Sequence, residues 1–112
     1  MKSYTDIEQS KKLAEFLPIE SADMRYAPFV GDTHPWVWNE EVKLLEKGSV
    51  PCWSLAALLN VLPHPSLHRT SLGWRCDTSK KDGYTIKMGD YTYNPVDTCY
   101  EMILKLHELN LL

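Results

Sequence analysis

The chain has 112 residues, of which 44% are hydrophobic and 24% charged, and its net charge is −3. These proportions are typical of a globular domain and exclude a disordered or fibrous chain. The length predicts a single domain over residues 1–112. Because neither half of the chain is basic, we do not expect duplex DNA as a partner.

The cysteine content and the N-terminus predict a cytoplasmic protein. The number of cysteines is odd, and no two of them have the Cys-x-x-Cys spacing; they are Cys52, Cys76 and Cys99. This favours reduced, buried thiols over a disulfide framework. The first residues are polar and lack the apolar run of a secretory signal. No stretch reaches the 18 or so apolar residues that a membrane span needs.

The first predicted element is a helix that begins at Thr5. The stretch from Thr5 to Glu8 has the Ser/Thr-x-x-Glu form of a capping box, and the helix should run through Leu17 until Pro18 ends it. Residues 21–30 then alternate loosely between apolar and polar residues, which predicts a short strand.

The next stretch mixes aromatic residues with glycine and proline. Residues 29–38 show no regular period and favour a loop, or an extended piece with Trp36 and Trp38 on one face. Asn39 then has the character of a helix N-cap, and Gly48 supplies a C-terminal stop.

A buried helix is predicted in the middle of the chain. Ser54 is placed to cap it, and Trp53 with Leu58 has the spacing of a hydrophobic staple. Leucines recur at helical spacing until Pro63 ends the run, and almost no charge interrupts them.

A hairpin and a final helix follow. Residues 72–77 and 83–88 each alternate in polarity, and the connection between them ends in Asp-Gly, a good turn dipeptide. For the final helix, Asn94 is the predicted cap and Pro95 occupies the first turn. Asn110 should adopt the left-handed conformation that lets Leu111 fold back on Leu106.

Together these elements predict an α+β domain. We expect three main helices and one small antiparallel sheet, made of the hairpin plus about one more strand, in a single compact domain.

Three phrases of the sequence carry a resemblance to a known group of proteins. They are the N-terminal helix over residues 6–15, the Trp-Ser-Leu helix over 51–59, and the Asn-Pro-Val-Asp helix over 94–102. In these the chain resembles a widespread family of short uncharacterised proteins from phages and mobile elements of gut bacteria. The resemblance covers nearly the whole chain and implies a single domain in a phage or mobile-element setting. No activity is established for that family, so it supplies no catalytic residue.

Cys52 is the most specific candidate for a catalytic residue. It precedes Trp53 just before a predicted helix N-terminus, where the helix dipole favours a thiolate, and papain-like enzymes place a Cys-Trp pair similarly. His64 or His68 would then act as the base of a small cysteine-dependent hydrolase or transferase. Against this, Val50 and Pro51 stand where that pattern has glycine, so the chain leans towards a non-enzyme. The structural alternative is that Cys52 only fills a gap in the core.

The same histidines raise the question of a metal site. His64 and His68 have the i, i+4 spacing that chelates zinc on a helix, but Pro63 and Pro65 predict a loop, where this spacing loses its meaning. No phosphate-binding glycine loop is present. We therefore expect neither a metal nor a cofactor.

Four aromatic residues have no obvious place in the core: Tyr26, Phe29, Trp36 and Trp38. Aromatic residues in irregular segments often anchor interfaces. The leading hypothesis is therefore a non-catalytic protein-binding accessory module, with the partner unidentified and a homodimer left open. The alternative for these residues is a small satellite core under a loop.

A third function, weak binding of single-stranded nucleic acid, is suggested by residues around the hairpin. A stacking platform there would combine aromatic and basic side chains, although neighbouring aspartates balance the charge. Its members would be Tyr84, Tyr91, Tyr93, Lys80, Lys81 and Lys87.

Overall fold

The computed structural model describes residues 2–26, 34–37, 49–79, 85–87 and 92–112. These residues fall into two compact units, one comprising Tyr4–Ala57 and the other Met1–Ser3 with Leu58–Leu112. Four predicted features lie outside the described residues: the helix expected from residue 39 to 48, Phe29, Trp38 and the tip of the hairpin. A single domain over residues 1–112 stays a prediction.

The first unit contains a helix and a three-stranded antiparallel sheet. The elements are α1 (Ile7–Ala14), β1 (Met24–Tyr26), β2 (Trp36–Val37) and β3 (Val50–Cys52), and α2 (Leu55–Val61) begins here. A 3₁₀ turn, Ile19–Ser21, links the helix to the sheet. The strands lie in the order β2-β1-β3, and Met24 of β1 lies opposite Val37 on one side and Cys52 on the other.

The cap of α1 is Asp6, so the prediction of Thr5 was wrong by one residue. The Asp6 side chain accepts a hydrogen bond from the backbone N–H of Gln9 (2.8 Å), and the Gln9 side chain accepts one from the N–H of Asp6 (3.1 Å). This is a capping box shifted by one position. Thr5 is instead completely buried, and its hydroxyl has other partners.

The end of α1 and the start of β1 also differ from the prediction. The helix ends at Ala14, because the N–H of Glu15 and of Phe16 bond three residues back and tighten the last turn. The strand begins only at Met24, because Ser21 closes the 3₁₀ turn with bonds from its N–H and hydroxyl to the carbonyl of Pro18.

The core of the first unit surrounds Trp53. This side chain is completely buried, as is Leu13 of α1, and its indole N–H donates to the hydroxyl of Ser21 (3.0 Å). Ser54 caps α2 as predicted, since its hydroxyl accepts from the N–H of Ala57 (3.2 Å). The indole therefore gains an apolar environment without losing its hydrogen bond.

The second unit contains a second three-stranded antiparallel sheet and the longest helix. The elements are the end of α2, then β4 (Ser66–Thr70), β5 (Gly73–Ser79), β6 (Thr85–Lys87) and α3 (Pro95–Glu108). The strands lie in the order β4-β5-β6, and the pairing of Thr78 with Ile86 confirms the predicted hairpin.

Strand β4 was missed, since the sequence predicted a loop around His64 and His68. The chain turns at His64, whose φ is 45°, and the next residues pair with β5 along their whole length. Only Leu67 of this strand is even partly buried, so the apolar alternation that marks a strand is missing. The β4–β5 turn closes at Gly73, whose φ of 124° favours glycine.

Helix α3 is confirmed at both ends. Asn94 accepts a hydrogen bond from the N–H of Asp97 (2.8 Å) at its start. At its end, Asn110 has a φ of 57°, and the N–H of Leu111 donates to the carbonyl of Leu106 (2.9 Å) in a Schellman closure. The face that it buries consists of Val96, Cys99, Met102, Ile103 and Leu106.

The α+β class is confirmed, with three α-helices in the described part of the chain. The predicted single sheet is replaced by two three-stranded sheets, because the sequence analysis did not predict β3 or β4 as strands. None of the described helices combines the length and the apolar character that crossing a membrane requires.

Candidate functional site

Trp36 is a large aromatic side chain at a sheet edge. It lies in β2, directly opposite Arg25 of β1, and remains 44% exposed. Because β2 pairs only with β1 among the described strands, Trp36 is held by one backbone neighbour while its indole stays accessible. An indole presented in this way can be covered by a partner at small conformational cost.

Tyr26 has a different role from Trp36. It is only 5% exposed, and its hydroxyl donates to the carbonyl of Thr5 (2.7 Å). Burial raises the pKa of Tyr26 above its usual range, so the phenol keeps its proton. Of the four predicted aromatic residues, the structure describes Tyr26 and Trp36. Tyr26 lies in the core of the first unit, whereas Trp36 is exposed.

Cys52 is completely buried at the end of β3. Its thiol donates to the carbonyl of Thr5 (3.4 Å) and lies 3.6 Å from the Thr5 hydroxyl. Burial raises the pKa of Cys52, which opposes formation of the thiolate that a nucleophile needs. The residue also precedes the cap of α2 by two positions and lies outside the first turn of that helix. These features favour a structural thiol.

Thr5 is the centre of a polar cluster that sequence reasoning missed. Its hydroxyl accepts a hydrogen bond from the backbone N–H of Trp53 (3.1 Å) and lies 2.8 Å from the hydroxyl of Ser10. Its carbonyl accepts from Tyr26 and Cys52. We call these five residues the Thr5 cluster; they are completely or almost completely buried. No local pattern signals it, because its members lie up to 48 residues apart.

Asp23 is a second residue that the sequence did not reveal. Its carboxylate accepts from the backbone N–H of Ser54 (2.9 Å) and from the Ser54 hydroxyl. The N-terminus of α2 thus has a carboxylate as well as its own cap, which suits the helix dipole.

His68 belongs to a cluster whose residue types resemble those of a serine hydrolase. Its Nε2 lies 3.0 Å from the hydroxyl of Ser66 and 3.5 Å from Oδ2 of Asp77. A catalytic triad needs the hydroxyl on one ring nitrogen and the carboxylate on the other, whereas here one nitrogen faces both. The cluster therefore cannot relay a proton from serine. His64 lies on an exposed turn before β4.

Cys76 and Cys99 form a buried pair in the second unit. Both side chains are completely buried, and the Cys76 thiol donates to the carbonyl of Asp77 (3.8 Å). The neighbouring Cys76 thiol, together with burial, raises the pKa of Cys99, which remains protonated. Across the described ranges, no three His, Cys, Asp or Glu side chains are grouped so as to hold a metal ion.

Of the proposed nucleic-acid platform, the structure describes the side chain of Tyr93 alone. That side chain is fully exposed next to Thr92, which bridges to Trp74 of β5. Lys87 lies in β6, and the remaining members are outside the described residues. The platform stays a prediction.

No protein-family model, curated protein or solved structure matches this chain. The functional assignment therefore depends on the geometry of the described residues.

Proposed function

We propose that this protein is a non-catalytic protein-binding module and that Trp36 is an anchor of its interface. The observation that carries the proposal is the 44% exposure of this indole at the edge of the first sheet. Tryptophan is enriched among the few interface residues that supply most of the binding energy. A partner that covers this ring removes apolar surface from water while its N–H still finds an acceptor.

The accessible chemistry of the rest of the molecule supports binding over catalysis. All three cysteines are completely buried, and the hydroxyl–histidine–carboxylate cluster around His68 has the wrong geometry for proton relay. No described nucleophile is therefore both exposed and activated.

The biological setting is part of the same proposal. Its phage or mobile-element origin rests on the sequence resemblance, and its cytoplasmic location rests on the odd number of free thiols. The partner is accordingly a protein of the bacterial host or of the element itself.

The proposal is tested with a substitution and a matched control. Wild-type protein is used to capture partners from bacterial lysate, and the captured protein is then purified. Its Kd is measured for wild type, Trp36→Ala and Tyr93→Ala. Tyr93 is the control because it is also an exposed aromatic residue but lies in the second unit.

Trp36→Ala should raise the Kd by roughly 30-fold or more, the equivalent of about 2 kcal/mol for an anchor residue. Tyr93→Ala should leave the Kd within about twofold of wild type, a change worth under half a kcal/mol. Equal affinity of all three proteins for the purified partner would show that Trp36 is not an anchor.

A further inference from the structure

The outer edge of β4 is an open strand edge in the second unit. Among the described strands β4 has one neighbour, β5, and four of its five residues are exposed. Alternate residues of such an edge strand direct N–H and C=O groups away from the sheet, where they can pair with an added strand. This edge lies apart from Trp36 in the chain and belongs to the other unit.

The charges along this edge are basic on both faces of the sheet. Neighbouring side chains of a strand point to opposite faces, so His68 and Arg69 place a basic group on each. Arg75 lies directly behind His68 on β5 and shares its face.

Arg69 is held in position without a carboxylate. Its guanidinium lies 5.9 Å from the ring centroid of Trp74, its cross-strand partner, and no described acid pairs with it. A cation that stacks on an indole is oriented but still attracts a carboxylate.

The nearby acidic group is already engaged. Asp77 is the single acid in residues 58–79; it is buried, and Oδ2 contacts Arg75 (3.3 Å) and His68. It moderates the charge on one face of the edge and leaves Arg69, on the other face, unneutralised.

We propose that the β4 edge binds an extended acidic segment of a protein partner by strand addition. Main-chain hydrogen bonds would extend the sheet, and adjacent acids of the added strand would face Arg69 on one side and His68 with Arg75 on the other. A second copy of β4 is disfavoured, because antiparallel self-pairing would bring the basic residues of both strands together. This surface belongs to a different compact unit from Trp36, and the proposal goes beyond the Trp36 interface.

The test uses two blocked peptides and the full-length protein labelled with ¹⁵N. One peptide is Val-Thr-Glu-Glu-Val-Thr-Val, and the other has two lysines in place of the glutamates. Each is titrated at low ionic strength while backbone amide shifts are followed. The variants are Arg69→Glu and, as a control with the same change in net charge, Lys11→Glu on the exposed surface of α1.

The glutamate peptide should shift the amides of β4 and bind at least about tenfold more tightly than the lysine peptide, as cross-strand charge complementarity requires. Arg69→Glu should reduce this preference to near equality, because His68 and Arg75 still favour an acid on the other face. Lys11→Glu and Trp36→Ala should leave the preference unchanged. Because Trp36→Ala tests the other surface, failure of one proposal is distinguishable from failure of the other.

Three results would overturn the proposal. They are equal binding of the two peptides, equal effects of Arg69→Glu and Lys11→Glu, and shifts that avoid β4. Self-association of the free protein with β4 amides protected from exchange would assign the edge to a second copy instead.

Discussion

Helix α3 and the Thr5 cluster both bury their residues almost completely, but different interactions hold them. The inner face of α3 is mainly apolar and recurs at helical spacing, from Val96 to Leu106. The Thr5 cluster instead joins a hydroxyl and a carbonyl of one residue to groups on α1, β1 and β3 and to Trp53. The buried residues of α3 are thus stabilised mainly by apolar packing, and those of the Thr5 cluster by hydrogen bonds.

The difference lies in what each region tolerates. Apolar burial is roughly proportional to area, so one inner-face residue can be replaced by another of similar volume at modest cost. A buried hydrogen bond is directional, and removing one partner leaves the other unsatisfied without water to replace it. The first unit should therefore be the more sensitive to loss of a single polar atom.

The largest expected effect is that of Trp53→Ala. It removes a completely buried indole from the core of the first unit and leaves Ser21 without its donor. The free energy of unfolding should fall by about 3–5 kcal/mol, the usual cost of deleting a large aromatic side chain. Urea unfolding followed by circular dichroism measures it, and a loss below about 1 kcal/mol would contradict the placement of Trp53.

A pair of threonine-to-valine substitutions, one in each region, should change stability less but should distinguish the two regions more clearly. Thr5 and Thr98 are both completely buried threonines, but the Thr98 hydroxyl in α3 has no hydrogen-bond partner among the described residues. Thr5→Val should cost about 1–3 kcal/mol, because the N–H of Trp53 loses its acceptor. Thr98→Val should be neutral or stabilising, because it removes a buried hydroxyl that has no partner.

The two valine variants are compared by the same urea titration, and each serves as the control for the other. Nearly equal losses of stability would mean that the Thr5 cluster contributes no more than its packing, and the contrast between the two regions would then be wrong.

The sequence predicted α3 well because everything that defines this helix is local. Its cap, its proline, its apolar spacing and its left-handed closing residue all lie within or next to the helix. The start of α1 was misplaced because Thr5 and Asp6 both have the chemistry of a cap. Only the folded structure shows that the Thr5 hydroxyl is engaged elsewhere, with Ser10 and with Trp53, which lies 48 residues away.

The candidate sites were less predictable because they depend on contacts between residues that are distant in the sequence. Trp36 was singled out because an aromatic residue in an irregular segment is visible in the sequence, but the burial of Tyr26 depends on the carbonyl of Thr5, 21 residues away. Strand β4 was hidden because an exposed edge strand needs no apolar alternation. The basic edge that it forms becomes visible only when β5 is placed beside it.

The most direct test of binding rather than thiol chemistry is the reactivity of Cys52. Native protein is treated with iodoacetamide at neutral pH, and alkylation of each cysteine is followed by mass spectrometry against a free cysteine peptide. We predict that Cys52 reacts far more slowly than the peptide, because burial raises its pKa and blocks access. Alkylation as fast as that of the peptide, or faster, would contradict the account and favour a cysteine-dependent enzyme.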